Sequence, residues 1–461
     1  MTSWIPSISK TDGPLYLGIA DAIASAIESG ELADDARLPP QRSMASALGI
    51  DYTTVSRAYA EAGRRGLVEG RVGQGTFVVR RTPGKPAGPV TGGQVDLGMN
   101  VPPPIDDPAL AARMWRGFAE LEHTGGLELL RHYQSPGGAG ADRMAGMQWL
   151  SRRRLPSLAV ERVLVCPGAQ GAMLAVMGTL ANPGDTVLSE ALCYPGFRAL
   201  AAQLRLSVCP VAMDAEGILP EEFDAACRRE RPKVLYCTPT LHNPTTATMS
   251  RVRREAIVAV ARRHGVPILE DDAYWALLAE PLPPLAALAP ELTYYIGGLA
   301  KTLAPALRIA YLATPDTRTA ARVMGGIRAT ATMASPLTAA LATSWIEDGT
   351  ADAVLLAIRA ETRARQAIAT SILPPEMART HPNAFHAWLL LSEPWTREEF
   401  ASRMRTTGIA TVTSDAFAVA RPPEAVRLAL GAAVSRSTLV QGLRIIADLL
   451  QQSPAMSSVV V

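Results

Sequence analysis

At 461 residues the chain is too long for one ordinary hydrophobic core, and its length predicts two or three domains. Hydrophobic residues make up 48% and charged residues 19%, with Ala, Gly and Pro plentiful, the balance of a soluble globular protein with much helix. No apolar run is long enough to cross a bilayer, the N-terminus lacks the apolar core of a signal peptide, and a net charge of +2 taken alone argues against nucleic acid. A cytoplasmic protein is expected. Cys166, Cys193, Cys209, Cys227 and Cys237 are odd in number and scattered without metal-ligand spacing, so free thiols are expected rather than disulfides or zinc.

Charge is not spread evenly. Up to residue 36 acids dominate, with Asp12, Asp21, Glu28, Glu31, Asp34 and Asp35 against Lys10. From there to Lys85 run Arg37, Arg42, Arg57, Arg64, Arg65, Arg71, Arg80, Arg81 and Lys85, against Asp51, Glu61 and Glu69. A local basic block of this kind has phosphate as its natural partner, and it outweighs the near-neutral total.

The first element is an amphipathic helix, with Leu15, Ile19, Ile23 and Ile27 at helical spacing and Gly30 as its stop. A short helix ending at Gly49 follows, then a helix over roughly residues 52–65 capped by Asp51. The run LVEGRVGQGTFVV reads as two short strands around a Gly-rich tip at Gly73 to Gly75. Three helices and a hairpin make a winged helix-turn-helix over residues 1–80. Residues 81–95, rich in Pro, Gly and basic residues and without periodicity, read as a linker.

From residue 96 helices alternate with short apolar runs, among them RVLVCPG, DTVLSE, KVLYCTP, PILEDD and LTYYIGG, which predicts a mainly parallel sheet covered by helices. A large domain is expected over about 150–330. A smaller α+β domain is expected over about 331–452, from Ala-rich helices mixed with the strand-like FHAWLLL and VRLALGA, and a disordered tail over 453–461.

One residue stands out on elementary grounds. The chain's lysines are Lys10, Lys85, Lys233 and Lys301, and the last sits inside the apolar stretch YYIGGLAKTLAPALRIAYL. An amine sheltered there has its charged form disfavoured and becomes nucleophilic. Asp271, at the end of VPILEDD, is a carboxylate delivered to a crevice by an apolar strand, with Glu270 and Asp272 beside it as helix-cap or solvent-facing alternatives. Asn243 lies in HNPTT, which alone is a turn signal, and Tyr194 in LCYPGF, where core packing is the plain alternative.

In their order, CPGAQGAM, LCYPGF, TPTLHNPTTATM, ILEDDAYW, GGLAKTLAPALRIAYL and VRLALGA resemble fold-type I aminotransferases that use pyridoxal 5′-phosphate (PLP), and the N-terminal part resembles a GntR-type DNA-binding domain. Together they resemble the MocR/GabR family of PLP-dependent transcriptional regulators. The resemblance implies an α/β fold, a winged helix-turn-helix followed by a fold-type I domain, in a homodimer with shared sites; it leaves open whether the DNA-binding heads are swapped.

It also implies roles. Lys301 carries the cofactor, and Asp271 holds the pyridine nitrogen protonated. Asn243 and Tyr274 lie near the ring hydroxyl, and Tyr194 stacks on the ring. Gly168, Ala169 and Gln170 offer backbone donors to the phosphate, with Arg308 as its fixed cation. Tyr133 reaches the phosphate from the neighbouring subunit. Two hydroxyl positions of the family pattern are Gly298 and Ala300 here, which shifts the phosphate onto Thr302 and Arg308. Arg427 clamps an α-carboxylate. On the DNA side the resemblance assigns Arg42, Thr53, Thr54, Arg57 and Gly75, with Tyr52 in a slot where Arg is usual; Arg64 and Arg65 fit DNA or a solvated helix face equally.

The functional expectation is a regulator of operator DNA whose amino-compound effector displaces Lys301 to form an external aldimine. A working aminotransferase and a sensor of PLP itself, controlling vitamin B6 supply, are the alternatives.

Overall fold

The computed structural model describes residues 4–6, 14–33, 35–65, 67–71, 75–78, 95–123, 126–156 and 158–452. Outside them lie Lys10, Asp12 and Asp34 of the N-terminal charge pattern, Arg80, Arg81 and Lys85 of the basic block, Gly73 and Gln74 of the hairpin tip, linker residues 81–94 and the tail 453–461. The chain divides into two compact units, Met1–Gly92 and Gly93–Val461.

In the first unit the helices are Leu15–Glu28, Gln41–Leu48 and Tyr52–Arg64, followed by the antiparallel strands Val68–Arg71 and Gly75–Val78. Ile19, Ile23, Met44, Val55, Ala58, Val68 and Val78 belong to one core; of the stripe read on the first helix Ile19, Ile23 and Ile27 are in it, while Leu15, at the helix start, is 42% exposed. Gly49 closes the second helix at φ +64°, and the Asp51 carboxylate accepts from Thr53 N at 2.7 Å to cap the third.

The second unit is built on a seven-stranded sheet among the described residues. Its order is Val163–Cys166, Ala310–Ala313, Thr293–Gly298, Ile268–Asp271, Leu235–Cys237, Thr186–Glu190, Ser207–Val211. Ala310–Ala313 runs antiparallel to both neighbours, and the other pairs are parallel. Both faces are covered: Val163, Val165, Tyr295 and Tyr311 belong to one core, and Leu164, Cys166, Tyr294, Ile296 and Leu312 to another. Burial on both sides is why these strands read as continuous apolar runs rather than alternating ones.

A smaller antiparallel sheet has the order Ala378–Arg379, His386–Leu390, Ala425–Ala429, Val412–Thr413, and shares one core with the helices Thr350–Ile372 and Arg436–Leu450 through Ala369, Leu439, Leu443 and Ile446. Val95, which the sequence placed at the end of the linker, is a strand residue. Val95–Asp96 pairs in parallel with Ile409–Ala410, and Val95 and Leu97 are buried in one core with Leu389, Val426 and Leu428 of the smaller sheet and its neighbours. Two residues are too few to display a strand period, which is why the sequence concealed them.

Candidate functional site

The site forms where the large sheet's strands end. Asp271 closes the strand Ile268–Asp271, Asn243 lies in the loop after Leu235–Cys237, and Tyr194 precedes the helix Pro195–Gln203 that follows Thr186–Glu190. Gly168 opens the helix Gly168–Leu180 after Val163–Cys166, and Lys301 follows Thr293–Gly298. Loops at the carboxyl ends of parallel strands converge on one crevice, the usual ligand position of such sheets.

Lys301 is partly buried, and its Nζ donates to the Asn100 carbonyl. Burial lowers its pKa to about 8, Arg427 and Arg308 press the same way, and Asp271 opposes them. Asp271 is itself buried, and burial pushes its carboxyl up to about 6 although the Tyr236 hydroxyl donates to Oδ2 at 3.1 Å. Its Oδ1 is buried without a hydrogen-bond partner. A buried orphan acceptor is costly, so this oxygen is an opening for a donor from outside the chain.

Asn243 Oδ1 accepts from Arg427 Nη1 at 3.0 Å, and Arg427 Nη2 donates to the Gly98 carbonyl. Arg427 lies on the strand Ala425–Ala429 with its guanidinium 5.1 Å from the Phe417 ring centre, and its buried Nε has no partner. It is no surface arginine: it is 6% exposed, and burial lowers its pKa. The Tyr274 oxygen accepts from Asn100 Nδ2 at 2.9 Å, and burial raises the pKa of this phenol. Burial also raises the pKa of Tyr194, which senses the charges of Asp271, Arg308 and Arg427.

For an anion, the first turn of Gly168–Leu180 offers the N–H groups of Gly168, Ala169 and Gln170. Gly168 stands at φ +74°, and a Cβ there would lie 3.5 Å from the Arg308 guanidinium carbon, so the arginine packs directly on the helix start. Thr302 departs from expectation. It is fully buried and its hydroxyl donates to the Gly298 carbonyl at 3.4 Å, back-bonding to its own turn rather than offering its proton to a ligand. Tyr133 stands apart, 84% exposed.

The neighbours of Asp271 also differ from expectation. Glu270 is a cap, but a buried one, accepting from Leu285 N at 3.0 Å and Ala286 N at 2.9 Å. Asp272 does not face solvent. It is fully buried and accepts from Arg153 at 2.7 Å and the Tyr295 hydroxyl at 3.0 Å. Both acids anchor the strand that presents Asp271.

Sequence reasoning missed Gly98, Asn100, Tyr236 and His386. Gly98 acts through its backbone carbonyl, which no side-chain pattern reports, and Asn100 through its carbonyl and also its side-chain amide, in a segment that carries no motif. Tyr236 sits in an apolar run and reads as core; it is stacked on Phe197 with ring centres 3.9 Å apart. The lone polar residue in FHAWLLL was the available signal for His386.

On the first unit, Arg42, Tyr52 and Gly75 come together around a cleft of about 380 Å³ lined also by Arg37 and Thr76. Gly75 stands at φ +116°, a conformation that side chains rarely adopt, and a Cβ there would lie 2.9 Å from Nε of the exposed Arg37 side chain. Thr53 donates its hydroxyl to the Asp51 cap, Thr54 is half-buried, and the Arg57 guanidinium lies 4.5 Å from the Tyr16 ring centre. Arg64 and Arg65 form internal pairs: both bind Glu61 at 2.7 Å, and Arg65 also binds Asp21 at 2.5 Å.

A sheltered lysine near an orphaned buried carboxylate, an arginine packed on a helix start and a second, buried arginine are gathered at the strand ends of a fold of the PLP-dependent aminotransferase class. Residues 94–446 match the family described as aminotransferase class I and II, and residues 15–78 match the gntR family of bacterial regulatory proteins. The chain belongs to the aminotransferase class I and II family and carries a GntR-type winged helix at its N-terminal side. It is 28% identical to the uncharacterized HTH-type transcriptional regulator YdeF of Bacillus subtilis over 97% of each chain. It is also 28% identical to the vitamin B6 salvage pathway transcriptional repressor PtsJ of Salmonella typhimurium, over 91% of this chain and 95% of that one. Among solved structures, an archaeal alanine:glyoxylate aminotransferase superposes with a TM-score of 0.71 at 21% identity, over 78% of this chain and 91% of that one. The α-aminoadipate aminotransferase LysN of Thermus thermophilus gives 0.69 at 22%, over 78% and 92%. These two likenesses are of fold.

Proposed function

We propose that this protein is a cytoplasmic DNA-binding transcriptional regulator that holds PLP at Lys301 and senses an amino acid or related amino compound. The observation that carries this reading is that the buried Arg427 and Asp271 both bear electrostatically on the sheltered Lys301, in a chain that also carries a winged helix-turn-helix.

The donor set fits the cofactor. Arg308 and the helix start at Gly168 take the phosphate, and the orphaned Oδ1 of Asp271 accepts the pyridinium N–H. Bound PLP supplies an aldehyde and an electron-withdrawing ring. With its pKa near 8, Lys301 has an appreciable unprotonated fraction at neutral pH and is a competent nucleophile. Arg427 selects a ligand with a carboxylate by a two-point pair. The ligand acts on DNA affinity only through different affinities for the DNA-competent and DNA-incompetent arrangements.

The functional unit is proposed to be a homodimer. Trp115, Phe118, Leu127 and Leu130 are exposed apolar side chains on the helices Pro108–His123 and Gly126–Arg131, just before Tyr133, and a second copy is the partner such a surface suits.

Two other readings have specific support. The complete set Lys301, Asp271, Arg308 and Arg427 favours transamination, and the kinship with PtsJ favours a sensor of PLP itself. Absorption spectra recorded while amino compounds are added singly, with keto acid and operator affinity measured in parallel, separate the three. A persistent spectral change with altered DNA affinity and no keto acid supports the sensor. Stoichiometric keto acid, reversed by a second keto acid, makes the protein a transaminase. DNA affinity that responds to PLP alone makes it a B6 sensor, and loss of none of these responses in Lys301→Ala overturns the shared role of Lys301.

A further inference from the structure

Asn100 lies on none of the motifs that mark the site, yet its amide nitrogen sits in a chain of buried polar groups whose donors and acceptors follow one from the next, while its Oδ1 is buried without a partner. His386 is fully buried, and burial drives its pKa down to about 3, so the ring is neutral and carries a single N–H. Its Nε2 is 3.1 Å from the His242 carbonyl, an atom that can only accept, so the proton is on Nε2 and Nδ1 holds a lone pair. Nδ1 faces Asn100 Nδ2 at 3.5 Å, and the same Nδ2 is 2.9 Å from the Tyr274 hydroxyl. An amide nitrogen has two hydrogens to donate and no lone pair to offer. The Tyr274 oxygen is therefore an acceptor in this contact, and its own hydrogen must point to another group.

We infer that Asn100, oriented by His386, is a positioning residue that fixes Tyr274 as a hydrogen-bond donor to the bound cofactor's ring oxygen. The inference rests on the proposed PLP site and adds to it a determinant of how that oxygen is held. A donated bond stabilises the ring oxygen as an anion and thereby lowers the pH at which the bound chromophore titrates. Without Asn100 the Tyr274 hydroxyl is free to rotate and the anion loses this support. Asp271, Lys301, Arg427 and Tyr194 also bear on Tyr274 or the ring, and all four are unchanged in the variants below.

The test is the pH titration of the visible absorption band of the full-length protein loaded with PLP, for the wild type, Asn100→Ala, Tyr274→Phe and the double variant. Asn100→Ala is expected to move the midpoint upward in the same direction as Tyr274→Phe, by about one pH unit or less, and to add nothing in the Tyr274→Phe background. Asn100→Asp, near-isosteric and the reserve should Asn100→Ala fail to fold, places an acceptor where a donor was. It draws the Tyr274 hydrogen to itself, so its upward shift is expected to exceed the shift that the same substitution gives in the Tyr274→Phe background, where the new carboxylate acts by its charge alone. An unshifted midpoint, or shifts that add fully in the double variant, overturns the inference. If the wild type develops no visible band with PLP, it is the PLP site itself that fails.

Discussion

The Tyr236 hydroxyl donates to Asp271 Oδ2 at 3.1 Å, from a ring held flat against Phe197 at an interplanar angle of 5°. The bond favours the charged carboxylate, while burial favours the neutral one and wins, leaving Asp271 near pKa 6. Tyr236→Phe keeps the stack and removes the bond, so the Asp271 pKa rises further. At neutral pH less carboxylate remains to pair with a protonated pyridine. PLP affinity is expected to fall roughly tenfold, about 1.4 kcal/mol, more at about pH 6.5 than at about pH 8.5 where Asp271 is ionised in both proteins. Fluorescence titration with PLP at the two pH values checks both the loss and its pH dependence.

Glu190 is buried behind the site, accepts from Thr238 N at 2.9 Å, lies 3.7 Å from His242 Nε2, and has its pKa raised by burial to about 8. Its folded pKa stands above the usual carboxylate value, so between about pH 4.5 and pH 8 the folded state binds more protons than the unfolded chain. Stability is lost as pH rises through that window. Glu190→Gln removes this dependence. The variant is expected to gain on the order of 2 kcal/mol over the wild type at about pH 8 and almost nothing at about pH 5, read as a difference in thermal midpoints.

Arg427 makes its two described hydrogen bonds to Asn243 and the Gly98 carbonyl. Arg427→Gln is expected to weaken an α-amino acid effector about a hundredfold, roughly 3 kcal/mol, while its decarboxylated amine loses far less. Paired titrations of an amino acid and the corresponding amine against both proteins read this directly. Equal losses for the two ligands would assign Arg427 to packing.

Arg42 is exposed and lines one cleft with Tyr52 and Gly75. Arg42→Ala is expected to raise the operator dissociation constant several-fold and to lower the salt slope of binding by about one. Arg64→Ala, which breaks the pair with Glu61, is expected to leave that slope unchanged. Fluorescence anisotropy at several salt concentrations distinguishes them.

Much of the site is legible in the sequence because it rests on rare residues in constrained places. Lysine is scarce in this chain, so Lys301 in an apolar run is conspicuous, and Asp271 and Arg427 stand in strands whose apolar character is plain. Family resemblance supplies their roles. What stays hidden is carried by atoms without a side-chain signature, such as the carbonyls of Gly98 and Asn100, or by contacts across long stretches of chain. Arg153 and Asp272 lie 119 residues apart, and nothing local in ILEDDAYW announces that the second aspartate is buried in an ion pair. Arg64 and Arg65 are ambiguous for the same reason, since Asp21 lies 44 residues before Arg65.

The carbonyls of Gly98 and Asn100, two residues apart in the chain, occupy Arg427 and Lys301. A carboxylate arriving at Arg427 competes with one carbonyl, and an aldehyde arriving at Lys301 competes with the other. Either arrival would thus free a carbonyl of the same short segment, so that the two ligand-binding events would meet in one stretch of backbone within the second unit.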